Sequence, residues 1–525
     1  MAQAMTVSSS PLLQHYTFAM MKSCTSEDTS CNSGETYVTT TASDAGTSSS
    51  TGGGHGQGAG WLGMSWIMLA DVVGTSVLTF AGVAKLLGWL PTGLLIVGLA
   101  PASIFSAILM SRTHGIIRRT HGVNARSMGE VARCAFMAGS SPADSAAMWV
   151  YVAVYGFAYL GNATYLITLA KAFQGSFSDL GLCLPTAVLL TCLLLTPLVI
   201  SRRRLVDSVG LCFANLFLIL AVLAICMTQM YEAGPRQDTQ RFLVAENLDV
   251  VTLFGAATNV LYSFTGHWMY FELMADMSKP EDFPKALWMN APLQVGLYLF
   301  VAFWGYYYSG DAAEGYFLDN ITDGFAYRAA SILLFLHVLI AFLIKNIVLS
   351  RYLHSCLSPS RVEILFRQVG GIRAHIEYAG CSMALLLTGA GIAVFVPFFM
   401  SFQGLVGGLL SGPVSFIMPM MFYVAVQRQN STVKPDDPES RIADRDAEGR
   451  EALVSQESPW TFRKWKAATW LEMAAFLIVG LFVIATMIFG TYSNISDIVT
   501  NLSQQGLGFT CRAFVSPVPA EKTIS

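Results

Sequence analysis

The sequence predicts an all-α membrane protein with about eleven transmembrane helices. Only 12% of its 525 residues are charged, whereas a soluble domain carries about 25%. Its apolar residues occur in blocks of about 20, the length that a helix needs to cross the hydrocarbon core. The net charge of -3 gives no basic surface for a nucleic-acid partner, so the lipid bilayer is the expected environment.

Eleven apolar segments account for the predicted transmembrane helices. Polar stretches separate most of them, and their ends are approximate. The segments cover residues 62–84, 90–110, 145–170, 181–200, 206–230, 249–275, 283–308, 324–348, 376–398, 400–425 and 467–490. Glycine and proline interrupt the tenth segment, so the sequence leaves the division between the ninth and tenth helices open.

Three polar regions lie outside these helices or between them. Residues 1–60 are rich in Ser, Thr and Gly, and such a segment buries too little apolar surface to offset its ordering entropy. We predict a disordered cytosolic tail there, and it lacks the basic start and apolar run of a signal peptide. The transmembrane region then covers 61–499, with a flexible cytosolic loop at 426–466, and 500–525 forms a C-terminal tail outside the cytosol.

The Lys and Arg residues predict the orientation of the chain, since cytosolic loops carry an excess of them. If the N-terminus is cytosolic, 22 of these residues lie in cytosolic loops and 7 lie on the opposite face. The reverse topology would invert this excess. Asn320 and Asn501 begin N-x-S/T triplets that then face outward, where glycosylation is possible, whereas Asn430 faces the cytosol.

The first and sixth segments carry features that a lipid-facing helix does not need. The first contains LADVVGTSVLTFAG and the sixth contains YSFTGHWMYFELMADM. Glycine near the midplane weakens a helix, and neighbouring hydroxyl groups can satisfy the freed backbone groups. Their glycine and polar residues include Asp71, Gly74, Thr75, Ser76, Ser263, Thr265, Gly266, His267, Glu272 and Asp276.

Two interpretations fit these segments. Glycine and serine in a membrane helix often mark close helix packing. Interrupted helices at corresponding places of two halves instead indicate a transporter site, and these two segments correspond if the core is two five-helix repeats of opposite orientation. A half-helix N-terminus can then bind a substrate carboxylate. The coincidence of two such segments, each with a charged residue, favours a site.

Five stretches also resemble the amino acid/auxin permease family of the amino acid-polyamine-organocation superfamily. DVVGTSVLTFAGVAKLLGW (71–89) resembles its opening G-x-G-x-L…G-W segment, and SMGEVARCAF (127–136) resembles its first cytosolic stretch. FTGHWMYFELMADMSKPEDFPKAL (264–287) resembles its sixth helix and the loop that follows. PFFMSFQGLVGGLLSGPVSFIMP (397–419) and GTYSNISDIV (490–499) resemble later segments, in the family's order.

The resemblance implies an amino acid carrier driven by an ion gradient. It also implies eleven helices in a leucine-transporter-type inverted-repeat fold (5+5), with one extra helix. Substrate backbone groups would be held at Gly74, Thr75 and Ser76 and around Ser263, Phe264, Thr265 and Gly266. Two residues depart from the family pattern: Ser76 stands where a second glycine is usual, and Ala81 stands where a proline is usual.

Several ionisable residues inside the predicted helices are candidates for ion coupling. Asp71 lies one helical turn before Gly74 and could exchange a proton, and Glu272 is the competing position. Lys345 lies near the end of the eighth segment, so we expect its side chain to reach the cytosolic interface. His337 fits a packed histidine or a proton pathway equally well. Aromatic residues at 264, 268 and 270 are expected to serve packing, and the alternative is that one of them lies over the substrate.

These observations predict a secondary active transporter that moves neutral amino acids together with H⁺ by alternating access. A Na⁺-coupled carrier and a transporter-like amino acid sensor with little flux remain alternatives. The plasma membrane or a vacuolar or lysosomal-type membrane is the expected location. No cofactor, metal site or enzyme activity is predicted, since no His/Cys/Asp cluster occurs at ligand spacing. The chain has no GxxxxGK[ST] loop, which disfavours an ATP-driven pump.

Overall fold

The computed structural model describes residues 60–136, 141–201, 208–358, 372–432 and 470–505. Across these residues the chain is helical and forms no strand. Nine of the described helices are long and apolar enough to cross a membrane, and a bent pair, Trp61–Val72 with Thr75–Leu87, adds a tenth. The predicted all-α membrane class is therefore confirmed, and the count of eleven and the inverted repeat stay predictions.

Parts of the three polar regions fall outside the described residues. These are residues 1–59 of the predicted tail, residues 433–466 of the predicted loop and residues 506–525 at the C-terminus. The final helix is described as far as Gln505, so it includes the first six residues of the predicted C-terminal tail.

The helices are numbered in chain order. They are α1 (Trp61–Val72), α2 (Phe80–Leu87), α3 (Trp89–His121), α4 (Met128–Ala135), α5 (Ser141–Ser176), α6 (Leu184–Ser201), α7 (Ser208–Ala233), α8 (Val250–Ser263), α9 (Tyr270–Ala275), α10 (Phe283–Ser309), α11 (Phe325–Leu357), α12 (Ile372–Phe395), α13 (Phe399–Val406), α14 (Met418–Thr432), α15 (Trp470–Ala485) and α16 (Thr491–Gln505). Short 3₁₀ or π-helical turns connect several of them.

The division between the predicted ninth and tenth helices lies at residues 396–398, which are not helical. The glycine and proline residues of the tenth segment do not break it. Gly407, Gly408 and Pro413 lie instead in two π-helical turns, Gly407–Ser411 and Pro413–Ile417, between α13 and α14. A Cβ atom at Gly407 would lie 2.2 Å from the backbone oxygen of Thr258 on α8. Glycine at this position therefore permits a close helix approach rather than a break.

At the centre of the fold, the helices of both interrupted segments pack against other helices. α11 packs against α5, α7 and α12, while α10 packs against both α1 and α2. α8 packs against α2 and α13. Buried polar contacts add to this packing: the Gln403 amide donates to Thr79 Oγ1 at 3.2 Å and to Asn259 Oδ1 at 3.3 Å. Such bonds matter in a membrane protein, because lipid provides no alternative partner.

The start of α8 illustrates how local sequence positions one of these segments. Asp249 is its N-cap, and the Thr252 backbone N–H donates to the Asp249 carboxylate at 2.7 Å. This hydrogen bond lowers the pKa of the Asp249 carboxyl group. The cap fixes where α8 begins, and the helix then runs for 14 residues to Ser263, where it ends inside the protein.

The predicted orientation leads to a test with terminal tags. If the N-terminus is cytosolic and the chain crosses eleven times, an antibody should reach an N-terminal tag only from the cytosolic side of the membrane. It should reach a C-terminal tag only from the opposite side. Access to the C-terminal tag only from the cytosolic side would contradict the eleven-helix topology.

Asn320 does not meet the requirements of a glycosylation site. Its side chain is buried, and its Oδ1 accepts from the Glu314 backbone N–H at 2.8 Å. Its amide donates to the Phe317 carbonyl at 3.1 Å. Of the two triplets predicted to face outward, only the one at Asn501 begins with a partly exposed side chain.

Candidate functional site

The first segment breaks after α1. Val72 ends the helix, Gly74 has a non-helical backbone, and a 3₁₀ turn over Thr75–Thr79 leads into α2. The two parts meet at an angle of 42°. The local sequence VVGTS explains the break, since β-branched residues and glycine are poor helix formers. The predicted interruption at Gly74 is therefore present.

The sixth segment breaks in a similar way. α8 ends at Ser263, and the chain resumes as a 3₁₀ turn over His267–Met269 and then α9. The Ser263 hydroxyl donates to the Asn259 carbonyl at 2.9 Å, and the Thr265 hydroxyl donates to the Leu261 carbonyl at 2.8 Å. These back-bonds satisfy the hydroxyl groups near the helix end.

The last carbonyls of α1 and α8 point to one side chain from a third helix. The Tyr298 hydroxyl on α10 lies 2.8 Å from the Ser263 oxygen and 3.1 Å from the Val72 oxygen. The Gln294 amide, one turn earlier on α10, donates to the Ser263 oxygen at 3.3 Å and to the Tyr298 hydroxyl at 3.2 Å. The two broken segments thus lie side by side.

A narrow cavity of about 20 Å³ lies between the two breaks and α5 and α11. Six of the residues expected at a site line it, namely Asp71, Gly74, Thr75, Ser76, Ser263 and Thr265. Thr75 Oγ1 is buried and has no hydrogen-bond partner within the described part of the chain. A hydroxyl group in that situation is available to a ligand.

Both signs of charge are present on the cavity wall. The Trp268 indole N–H donates to Asp71 Oδ2 at 3.3 Å. The Lys345 ammonium donates to the Tyr165 hydroxyl at 3.0 Å, and lies 4.4 Å from the centre of the Tyr165 ring and 5.6 Å from that of Trp268. Asp71 and Lys345 also attract each other electrostatically.

The expectation that Lys345 reaches the cytosolic interface is wrong. Its side chain lines the cavity and is only 6% exposed. The reason is the length of α11: the eighth helix was expected to end near residue 348, but it continues to Leu357. Lys345 therefore lies more than three turns from the helix end, too far for its side chain to reach the interface.

Three of the predicted site residues do not line the cavity. Phe264 is buried and packs edge-on against the Tyr298 ring, with the ring centres 5.5 Å apart. At Gly266 a Cβ atom would lie 2.8 Å from the Tyr270 hydroxyl. Glu272 lies on α9, where its electrostatic neighbours are Asp276, Glu130, Arg126 and Arg351. The structure thus separates Glu272 from Asp71.

Sequence reasoning missed several cavity residues. Tyr165, Tyr262 and Phe157 line the cavity, as does Trp268, which was expected to serve packing. Aromatic side chains are common in membrane helices, so these residues gave no distinguishing signal in the sequence. Lys345 offered the one available signal, because an ionisable residue inside a membrane helix is functional by default.

His337 lies away from the cavity. It is 1% exposed, and its Nδ1 lies 2.9 Å from the Asn215 carbonyl oxygen of α7. A carbonyl oxygen only accepts, so this ring nitrogen carries the proton. This contact ties α11 to α7 and accounts for His337 as a packed histidine.

Comparison with known proteins agrees with the geometry. The sequence model of the family described as "Transmembrane amino acid transporter protein" matches residues 57–436. The "N amino acid transport system protein" of Neurospora crassa is 21% identical over 71% of this chain and 77% of its own length. The "Amino acid transporter ANT1" of Arabidopsis thaliana is 22% identical over 68% and 83%.

Two further similarities are weaker. The "Auxin transporter-like protein 2" of Arabidopsis thaliana is 23% identical over 51% of this chain and 50% of its own length. A solved structure of Mhp1, a nucleobase-cation-symport-1 family transporter, in a closed conformation with bromovinylhydantoin bound, is 13% identical, with a TM-score of 0.44 over 88% of this chain and 95% of that chain.

The family match covers most of the chain, and it agrees with the resemblance that the sequence motifs carry. Membership of a carrier family also accounts for the paired helix breaks, which are features of carriers rather than of enzymes. This chain belongs to the transmembrane amino acid transporter protein family and is a multi-pass membrane carrier.

Proposed function

We propose that this protein is a symporter that moves neutral amino acids together with H⁺ by alternating access. The observation that carries the proposal is the single cavity in which the two broken segments meet. The cavity wall combines a carboxylate, an ammonium group and a hydroxyl without a partner, from Asp71, Lys345 and Thr75 respectively. Midplane cavities between discontinuous helices bind the substrates of many secondary transporters.

The cavity wall matches the chemistry of an amino acid. The backbone of Gly74, Thr75 and Ser76 follows the first break, where N–H groups at the start of a helix favour a carboxylate. Phe157 and Tyr262 form an aromatic part of the wall. That surface suits an uncharged side chain, because a charged one would lose its hydration without gaining a partner.

H⁺ fits this cavity better than Na⁺. Lys345 already supplies a fixed positive charge beside Asp71, so a second cation there would be repelled. A proton on Asp71 instead removes the charge that would repel the substrate carboxylate. Proton and substrate then bind together, and both leave when the cavity opens to the other side. Glu272 remains the alternative coupling position.

Uptake by purified protein in proteoliposomes tests the proposal. A panel of neutral, acidic and basic amino acids would be offered under a pH gradient and, separately, under a Na⁺ gradient. We expect accumulation of neutral amino acids under the pH gradient and no stimulation by Na⁺. Accumulation driven by Na⁺ alone would establish the Na⁺-coupled alternative, and amino acid binding without flux would indicate a sensor.

Substitutions at Gly74 test whether the first break lines the substrate path. A Cβ atom at Gly74 would lie 3.4 Å from the Asp71 backbone oxygen and 3.8 Å from the Tyr165 hydroxyl, so Gly74→Ala should fold and retain uptake. Gly74→Val adds bulk on the cavity side, and we expect uptake to fall about 100-fold, as displacements of about 1 Å do at other sites. Surface expression should be equal in both variants. Wild-type uptake by Gly74→Val would remove this segment from the site.

Gly266→Val is expected to act differently. A Cβ atom there would lie 2.8 Å from the Tyr270 hydroxyl and 3.1 Å from Val72 Cγ2. Both neighbours belong to the broken segments, so valine would push the segments apart. We expect loss of uptake together with a lower melting temperature, and a variant with wild-type uptake would show that this break is not required.

A further inference from the structure

The ends of the two broken helices present the same chemical problem. Val72 and Ser263 are the last residues of α1 and α8, and helix C-termini carry partial negative charge on carbonyls that lack helical partners. Here both carbonyl oxygens lie close to one hydroxyl group, at 3.1 Å and 2.8 Å from Tyr298 Oη. The Val72 oxygen also accepts from the Ser76 hydroxyl, at the longer distance of 3.3 Å. Buried carbonyls of this kind need a donor or a cation.

α10 supplies donors at this point. The Tyr298 side chain is 0% exposed, and Gln294 is 6% exposed. A phenol has one proton, so Tyr298 donates to one carbonyl at a time while it accepts from the Gln294 amide at 3.2 Å. The ring is held by Phe80, 4.5 Å away between ring centres, and by Phe264. Its hydroxyl position is therefore fixed from both sides.

We propose that Tyr298, oriented by Gln294, is the positioning residue that joins the ends of the two broken helices. Val72 and Ser263 lead directly into the segments that contain Gly74 and Gly266, so the hydroxyl sets the distance between the two halves of the site. It also occupies the place between two freed carbonyls where other carriers can hold Na⁺. The inference rests on the proposed function in one respect: the segments that Tyr298 positions are the ones proposed to hold the substrate.

Tyr298→Phe removes the hydroxyl and keeps the ring contacts. Tyr306→Phe is the matched control, because Tyr306 is also 0% exposed and lies on α10, but its hydroxyl accepts from the Phe242 backbone N–H at 2.9 Å, away from the breaks. Hydrogen–deuterium exchange would be measured for peptides covering 70–78 and 260–268. We expect faster exchange of both peptides in Tyr298→Phe and wild-type exchange in Tyr306→Phe.

Transport provides the second measurement. For the neutral amino acid with the highest wild-type uptake, Tyr298→Phe should raise KM about tenfold, because it removes the shorter hydrogen bond to each carbonyl. Val72 then keeps the longer bond from the Ser76 hydroxyl, and Ser263 keeps that from the Gln294 amide, each at 3.3 Å. Gln294→Leu should change KM in the same direction by a smaller factor, because the phenol keeps its proton but loses its orientation. Tyr306→Phe should leave KM unchanged.

Any of three results overturns the inference. The first is wild-type hydrogen–deuterium exchange together with wild-type KM in Tyr298→Phe. The second is a change in Tyr306→Phe as large as the change in Tyr298→Phe, which would indicate an effect of general packing. Slower exchange of the wild-type peptides in NaCl than in choline chloride would show a cation between the carbonyls and would also overturn it. If the wild type transports no amino acid, the proposed function fails, and the exchange measurement still decides this inference.

Discussion

Asparagine at position 71 should abolish proton-driven accumulation. The substitution keeps an oxygen acceptor for the Trp268 indole, which now donates to Asp71 at 3.3 Å, but it cannot bind or release a proton. Each unit of pH difference can support about tenfold accumulation at one proton per substrate, because one unit corresponds to about 1.4 kcal/mol. We expect wild-type proteoliposomes to approach that ratio and Asp71→Asn vesicles to stay near equal concentrations.

Exchange of labelled substrate provides the control for this variant. Exchange needs no net proton movement, so Asp71→Asn should retain it if the protein is folded. Glu272→Gln is the matched variant at the competing position and should keep both accumulation and the wild-type response to external acid. Accumulation by Asp71→Asn with the wild-type pH profile would exclude Asp71 from coupling, and loss of accumulation only in Glu272→Gln would transfer that role to Glu272.

Lys345→Met should have an effect of similar size. Methionine keeps much of the side-chain volume but removes the ammonium group beside Asp71 and the hydrogen bond to Tyr165, now 3.0 Å long. Removal of one member of a buried, hydrogen-bonded charge pair costs about 2–5 kcal/mol. The lower end of that range applies here, because Asp71 and Lys345 bond to Trp268 and Tyr165 rather than to each other. We therefore expect uptake to fall by at least about 30-fold, together with a lower melting temperature, because Asp71 is left without its compensating charge.

The double variant separates charge compensation from the loss of a specific contact. Asp71→Asn with Lys345→Met removes both charges, so its melting temperature should rise above that of Lys345→Met alone. Proton-driven accumulation should stay absent, because no coupling carboxylate remains. Equal melting temperatures in the single and double variants would show that the two residues do not compensate each other.

The sequence contained more information about the breaks than about the walls of the cavity. Glycine at 74 and 266, each with hydroxyl residues beside it, predicted where the two helices are interrupted, and α1 and α8 end close to these positions. Asp71 was a candidate because a carboxylate is unfavourable in a membrane helix. By contrast, nothing in the sequence distinguished Trp268 or Tyr165 from the other aromatic residues of the membrane helices.

The position of Lys345 shows why some predictions failed. Hydropathy predicts the apolar part of a helix, but the helix can extend beyond it, as α11 does to Leu357. Because α11 ends nine residues later than predicted, Lys345 lies inside the protein rather than near the membrane interface. Glu272 shows a related limit: it shares a segment with the sixth break, but it does not line the cavity, whereas Trp268, four residues earlier, does.

The sequence by itself determined the membrane class, the family resemblance and the two interrupted helices, because these depend on hydropathy, composition and local helix propensity. Only the tertiary structure decided which side chains meet. Asp71 and Trp268 are 197 residues apart in the chain, and Tyr165 and Lys345 are 180 apart. Contacts at such separations depend on how helices pack in three dimensions, which no local pattern encodes. The same packing brings Tyr298 of α10 between the two helix ends.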